Sequence, residues 1–422
     1  MEGVTSMSLP KFAKIRQKFQ VESLNDITGT ISEQFNHVKA DEKIGPDMEI
    51  AITVGSRGIA NIPLIVKSVA DEIKKRGATP FIIPAMGSHG GATAAGQIEV
   101  LDGLGVSEES TGCEIRSSME VVEVGKTSAG IPVYVDKHAY HADGIIVMGR
   151  VKPHTDFKKD IESGILKMAS IGMGKHKQAL ALHTYGIRGI RDMMPEVGKV
   201  AIGNSNTLFG IAIVENAHEE TAIIEAIHPD EIENRERELL KRAFALMPSL
   251  PVDEMDILVV DEIGKNYSGT GMDTNIIGRI RVLGVEEPEK PSVKYVIASN
   301  LSEASHGNAL GIGLSDLTTK RLFDKIDLKT MNENVVTSTF LDRAKIPIVL
   351  DSDREALKAA LRATWGVPAQ DARIVRIPNT LHIGELFVSE VIFNELKDKE
   401  NIEVLEGLHE MKFDADGYFP SM

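Results

Sequence analysis

Four residues in the first half of the chain carry side chains able to do chemistry: His89, His154, Lys167 and His183. His89 sits in a glycine-rich loop, GSHGGAT (87–93), and His154 follows a proline in VKPHTDF (151–157). Lys167 lies in ESGILKMASIG (162–172), and His183 sixteen residues further on, in ALALHTYG. Three imidazoles and an amine could hold a metal, move protons or anchor a group covalently. Imidazole titrates near neutrality, and a desolvated amine is a nucleophile. His89 and His154 each follow a run that reads as a buried parallel strand, and α/β folds build their sites at strand carboxyl ends.

Each residue also has a plainer reading. The three glycines around His89 let the backbone approach a ligand, and the amides of such a turn can hold an anion. The same loop could be a tight turn with an exposed histidine. Pro153 biases Lys152 towards an extended conformation, as a strand exit requires, and Asp156 is near enough in sequence to orient the His154 ring. Otherwise His154 is a surface loop residue. Taken alone, Lys167 reads as a lysine snorkelling from an ordinary helix, and His183, beside Ala179, Leu180 and Leu182, as a satisfied core residue. Arg57, at the end of the first core strand, suits a carboxylate or phosphate. His138 and His141 could share a metal only on a helix, and their segment, 137–141, reads as strand and loop.

The elements that must position these residues follow a β-α-β-α pattern. Residues 48–58 read as a strand, 62–76 as a helix, 79–87 as a strand and 94–105 as a helix stopped by glycine. Two paired strands follow in MEVVEVGKT and IPVYVDKHA, then a core strand within 141–153 that opens into the His154 loop. Residues 158–186 carry several helical turns, 210–227 a hairpin or adjacent strands, and 231–247 an amphipathic helix. PSLPVD (248–253), with two prolines, is a linker. Beyond it come strands at 255–264, 292–301, 346–352 and 372–380, and helices at 315–326, 353–366 and near 387–399. The expected architecture is two α/β domains with mainly parallel sheets and an active-site cleft between them. They divide as 1–250 and 251–422, with the last helix free to pack back on the first domain. In the second domain, 261–275 is a candidate ligand-facing loop, offering Lys265, Asn266, Asp273 and Asn275. The glycine-rich 307–316 stretch lacks the GK[ST] ending of a phosphate loop.

Composition narrows the class. The chain has 422 residues, 42% apolar and 26% charged, with a net charge of −15. That balance argues against nucleic acid or anionic lipid as a partner, since both require a basic face. It leaves room for a small anionic substrate in a locally basic pocket. A single cysteine, Cys113, permits neither an internal disulfide nor a cysteine metal cluster and fits a reducing cytoplasm. No leader pattern is visible at the N-terminus, and no apolar stretch approaches the ~20 residues of a membrane helix. The expected location is cytoplasmic.

Arg57, His89, His154, Lys167 and His183 together resemble the nickel-pincer-nucleotide lactate racemase family. There a Gly-x-His loop supplies one catalytic histidine, a Pro-His pair the second, and a Ser-Gly-x-x-Lys stretch the lysine that binds the cofactor. A histidine sixteen residues later ligates nickel. Gly87-Ser88-His89, Pro153-His154, Ser163 to Lys167, and His183 match these in turn, most closely over about 48–185. The chain also departs from the pattern. Ile165 replaces a glycine before the lysine, Ile171-Gly172 replaces Pro-Gly, and the acid of the arginine turn is missing from Val54-Gly55-Ser56-Arg57. The family's second-domain lysine and glutamine have no clear match, with Lys265 and Arg281 as stand-ins. The chain is thus similar to a divergent member with its own substrate.

The resemblance implies an isomerase, a racemase or epimerase of a 2-hydroxy acid. Its cofactor would be nickel in a pincer nucleotide tethered to Lys167, with His183 on the metal. His89 and His154 would be the acid/base pair. Arg57, Ser88 and Gly90 would border the cofactor, and Lys265, Asn266 and Arg281 the substrate. Cofactor-biosynthesis proteins would be partners, and a homo-oligomer stays open. A metal-dependent hydrolase or lyase without the pincer, and a non-catalytic anion-binding protein, use the same residues differently.

Overall fold

A computed structural model describes residues 8–422 of the chain. The leaderless reading of the N-terminus falls in part on residues 1–7, outside the described residues. The chain divides into two compact units. One comprises Gln20–His154 and Lys158–Met247; the other comprises the described residues through Phe19, Thr155–Phe157 and Pro248–Met422.

The first unit is built on a six-stranded sheet. Its order is Glu114–Ile115, Thr79–Pro84, Glu49–Val54, Gly144–Arg150, Thr207–Glu215 and Thr221–Ile227. All neighbours are parallel except the last pair, an antiparallel hairpin. The central strands are buried along nearly their whole length, as a sheet covered on both faces requires. Side chains alternate between two cores. Ile50, Ile52, Ile82 and Ile146 pack with the helices Ile27–His37 and Ile62–Lys75. Ala51, Phe81, Ile83, Ile145 and Val147 pack with Ile165, Leu166, Met194 and Leu240 on the other side. The strand order places Glu49–Val54 and Gly144–Arg150 side by side, with the intervening strands all to one side. The sheet's topological switch point therefore falls between these two strands.

The second unit carries an eight-stranded mixed sheet. Five parallel strands run in the order Ile348–Leu350, Leu317–Thr319, Ser292–Ala298, Glu254–Val260 and Ile374–Ile377. Three antiparallel strands, Glu385–Ser389, Phe12–Gln17 and Ile402–His409, complete it. The α/β class with mostly parallel sheets is therefore as expected. A single boundary near residue 250 is not. Phe12–Gln17 fills a slot between two C-terminal strands and is paired along both of its edges. The final helix, Glu390–Leu396, packs on the strands Phe12–Gln17 and Glu385–Ser389 of this same sheet.

Local readings differ in three further places. Lys137–His141 is a short helix, because Asp136 accepts hydrogen bonds from the backbone amides of His138 and Ala139 at its start. Residues 315–326 begin as the strand Leu317–Thr319 and turn helical only at Lys320. Residues 387–399 likewise open as strand, to Ser389, before the helix begins.

Candidate active site

Three loops at the carboxyl ends of neighbouring strands bring the predicted residues together. Ser56 and Arg57 follow Glu49–Val54, His89 follows Thr79–Pro84, and His154 follows Gly144–Arg150. These loops flank the switch point, where an α/β sheet leaves a crevice for a ligand.

Ser56 Oγ and His89 Nδ1 are 2.5 Å apart, which leaves Nε2 of the imidazole as its outward nitrogen. His89 is exposed at its edge, yet its charged form is strongly disfavoured. The protein atoms crowding the ring withdraw it from water, and the positive charges of Arg57 and Lys167 add to this, so its pKa falls to about 4. At neutral pH His89 is a neutral imidazole, able to accept a proton. The dependence on Arg57 and Lys167 also places both cations within electrostatic reach of the ring.

Lys167 and His154 meet directly, with Nζ 2.9 Å from Nε2. The His154 backbone is pinned from two sides. Its amide donates to Glu162 Oε2 at 2.6 Å, and its carbonyl accepts from Lys158 Nζ at 2.8 Å. Glu162 also accepts from the Lys159 amide, so one buried carboxylate folds the loop into a closed turn. Burial holds the Glu162 carboxyl above its ordinary range, against the pull of Lys158 and these amides.

The Ser-Gly-x-x-Lys stretch has a physical explanation. Lys167 ends a one-turn helix, Ile165–Lys167, that continues as a π-helical segment, Met168–Gly172. Glu236, from the Ile232–Leu246 helix, accepts a hydrogen bond from the Leu166 amide at 3.0 Å. A side chain on Gly164 would come within 2.6 Å of that carboxylate, and one on Gly149 within 2.8 Å of the Gly164 carbonyl. Both positions must be bare for the helix start to sit against the strand. Burial raises the Glu236 pKa to about 7, against the opposing bonds from the Leu166 and Ile165 amides. Interrupted helices of this π type recur at functional sites.

The His89 loop is tied to the same helix. The Gly87 amide donates to the Gly172 carbonyl, and Gly87 (φ +61°) would clash with Ile171 if it bore a side chain. Gln97 donates to the carbonyls of Gly87 and His89 at 3.0 and 3.3 Å. Behind it, Lys175 donates to Gln97 and Pro84 and lies 3.2 Å from Asp136, all in the fully buried interior. Burial lowers the Lys175 pKa, with Asp136 pulling it back. Lys175 has φ +55°, which ends the π-helical run and turns the chain, so the Lys175–His183 helix packs back on that segment. His183 occupies the last turn of this helix and is exposed.

The remaining predicted residues divide between the His89 loop and the second unit. Ser88 and Gly90 lie in the His89 loop, where their carbonyls accept from the Ala92 and Thr93 amides. Lys265, Asn266 and Arg281 belong to the second unit. Lys265 Nζ donates to Gly269, and Asn266 accepts from Ser302. Arg281 is occupied by Asp316 and the Gly313 carbonyl. Sequence reasoning missed Ser56, Glu162, Gln97, Lys175 and Glu236. Only Ser56 carried a signal, as the neighbour of Arg57 in a strand-end turn.

Residues 13–185 match the family model described as the lactate racemase N-terminal domain. Over these residues, the chain is similar to the lactate racemase family. Among solved structures, the lactate racemase apoprotein from Thermoanaerobacterium thermosaccharolyticum is similar in fold. Its TM-score is 0.54 at 14% sequence identity, over 87% of this chain and 94% of that one. No curated protein matches by sequence. Serine, arginine, both central histidines and lysine all fall within the matched domain, as does His183. Among the described residues, no helix is long and apolar enough to cross a membrane.

Proposed function

We propose that this chain is a racemase or epimerase of a 2-hydroxy acid, using His89 and His154 as its acid/base pair. The observation that carries this reading is the pairing at the switch point. One imidazole is held neutral beside Arg57 and Lys167, and a second touches the Lys167 amine. Inverting a hydroxyl-bearing carbon needs a proton acceptor on one face and a donor on the other, and two imidazoles can exchange these roles.

The family's cofactor is a nickel-pincer nucleotide, and the residues present fit it. Among the described residues no three His, Cys, Asp or Glu side chains stand together to hold a metal. A group that brings most of its own donors and takes one imidazole suits that arrangement better than a metal held by protein ligands alone. Lys167 would tether it and His183 would supply the protein ligand. When bound, the group would take up and return the hydride from the substrate carbon.

The chain's own residues do the rest. Ser56 fixes the His89 ring through Nδ1, so Nε2 takes the hydroxyl proton of one enantiomer. His154 serves the other face. Acylation of Lys167 would remove its ammonium charge and release His154 Nε2 for the substrate hydroxyl. Arg57 would hold a carboxylate or phosphate. The test is intact mass and nickel analysis of protein co-produced with cofactor-building enzymes. The expected result is added mass on Lys167 with bound nickel. Unmodified Lys167 without nickel would overturn the reading.

A further inference from the structure

We propose that His154 has an earlier task than turnover: it is the general base that activates the Lys167 amine for its own acylation. An amine attacks an acyl carbon only through its free lone pair, and an ordinary lysine is almost wholly protonated at neutral pH. The structure places His154 Nε2 2.9 Å from Lys167 Nζ, within the reach of direct proton transfer. The backbone that carries the ring is held, because the His154 amide and carbonyl are bonded to Glu162 and Lys158. The backbone that carries Lys167 is held as well, at the end of a helix whose first turn is bonded to buried Glu236.

The step balances without a redox partner. The co-reactant is an acyl or thioacyl donor carrying a leaving group. The Lys167 nitrogen forms a bond to the acyl carbon while the bond from that carbon to the leaving group breaks, and the leaving group keeps its electron pair. His154 Nε2 takes the proton that nitrogen sheds and passes it to the leaving group. The products are an amide or thioamide on Lys167 and the protonated leaving group. One imidazole thus serves first in loading and later in turnover. The identity of the natural donor rests on the tether reading given above; the reactivity of the amine does not.

The experiment uses the full-length protein without cofactor and a small thioester as probe, at about pH 8. Peptide mass spectrometry reads acyl occupancy at Lys167 against exposed Lys290. Lys167 is expected to react at least ~10-fold faster than Lys290, at the low end of general-base effects. His154→Ala should erase that advantage. His154→Gln, which keeps a hydrogen-bonding group of similar reach without a base, should erase it too and guards against a misfolded alanine variant. His138→Ala, on the separate Lys137–His141 helix, should leave it intact. Equal Lys167 rates in wild type and both His154 variants would overturn the proposal. Selective, His154-dependent acylation in a chain that never acquires cofactor mass would instead overturn the tether reading and leave this one standing.

Discussion

Ser56 Oγ and His89 Nδ1 lie 2.5 Å apart, so a strand-end serine sets the orientation of an imidazole from the next loop. The serine follows one central strand and the histidine its parallel neighbour. Their contact is therefore fixed by the register that sets Val54 beside Pro84. An imidazole held through Nδ1 presents Nε2 outward, and that nitrogen can act on a substrate.

His89 should titrate near pH 4, well below an ordinary histidine. The unfolded chain binds a proton there between about pH 6.5 and 4 while the folded chain does not. This group's contribution to stability is therefore complete above the unfolded value and is lost as pH falls through that window. NMR titration of the ring should give the low value in wild type and a higher one in Arg57→Ala. An unshifted titration in wild type would remove the electrostatic argument. Ser56→Ala should leave the fold intact and lower turnover by roughly 10-fold, as loss of one orienting hydrogen bond does.

His89→Ala and His154→Ala should each depress interconversion of whichever 2-hydroxy acid enantiomers the loaded wild type converts. The expected loss is ~10²–10⁴-fold, read by chiral chromatography. Full activity in either variant would end the two-base reading.

Glu236 should make stability fall as pH rises. Its folded pKa, about 7, stands above the ordinary 4.5. The folded state therefore holds a proton that the unfolded state releases across that window, and the full cost of burying the carboxylate is felt above it. Denaturation at pH near 5 and near 8 should differ by on the order of 2 kcal/mol more in wild type than in Glu236→Gln. Identical pH profiles would show that Glu236 stays ionised throughout.

Lys175→Met should destabilise by about 3–5 kcal/mol, because it strands Asp136 in the interior without its partner. Adding Asp136→Leu should recover much of the loss. Gln97→Ala should cost about 1–3 kcal/mol and speed amide exchange in the His89 loop, whose carbonyls it holds. Unchanged exchange there would separate Gln97 from the positioning of His89.

How much of this was legible in the sequence follows from how far each interaction reaches along the chain. The parallel strands and the helices 62–75 and 232–246 announced themselves through local periodicity and glycine stops. So did the loops that carry His89 and His154, since a strand end is a local event. Phe12–Gln17 gave no such cue, because its partners lie nearly 400 residues away. Glu236 hid in a charged helix and looked like another solvated carboxylate, although it caps a turn seventy residues earlier in the chain. Lys175 neighbours exposed His176 and Lys177 in the chain, yet with its left-handed backbone it lies in the core. Lys167 and His183 read as ordinary when taken singly, and only their spacing as a set made them informative.

The bond between the Gly87 amide and the Gly172 carbonyl also bears on how this lineage can vary. It clamps together two segments separated by 85 residues, so the spacing of the reacting groups is insulated from the length of whatever lies between. Insertions and deletions can accumulate in the ribbon of Val121–Lys126 and Pro132–Asp136 and its flanks without changing the reach from lysine to histidine. The clamped residues themselves have no such freedom: a one-residue slip at either end would move one reactive group past the other.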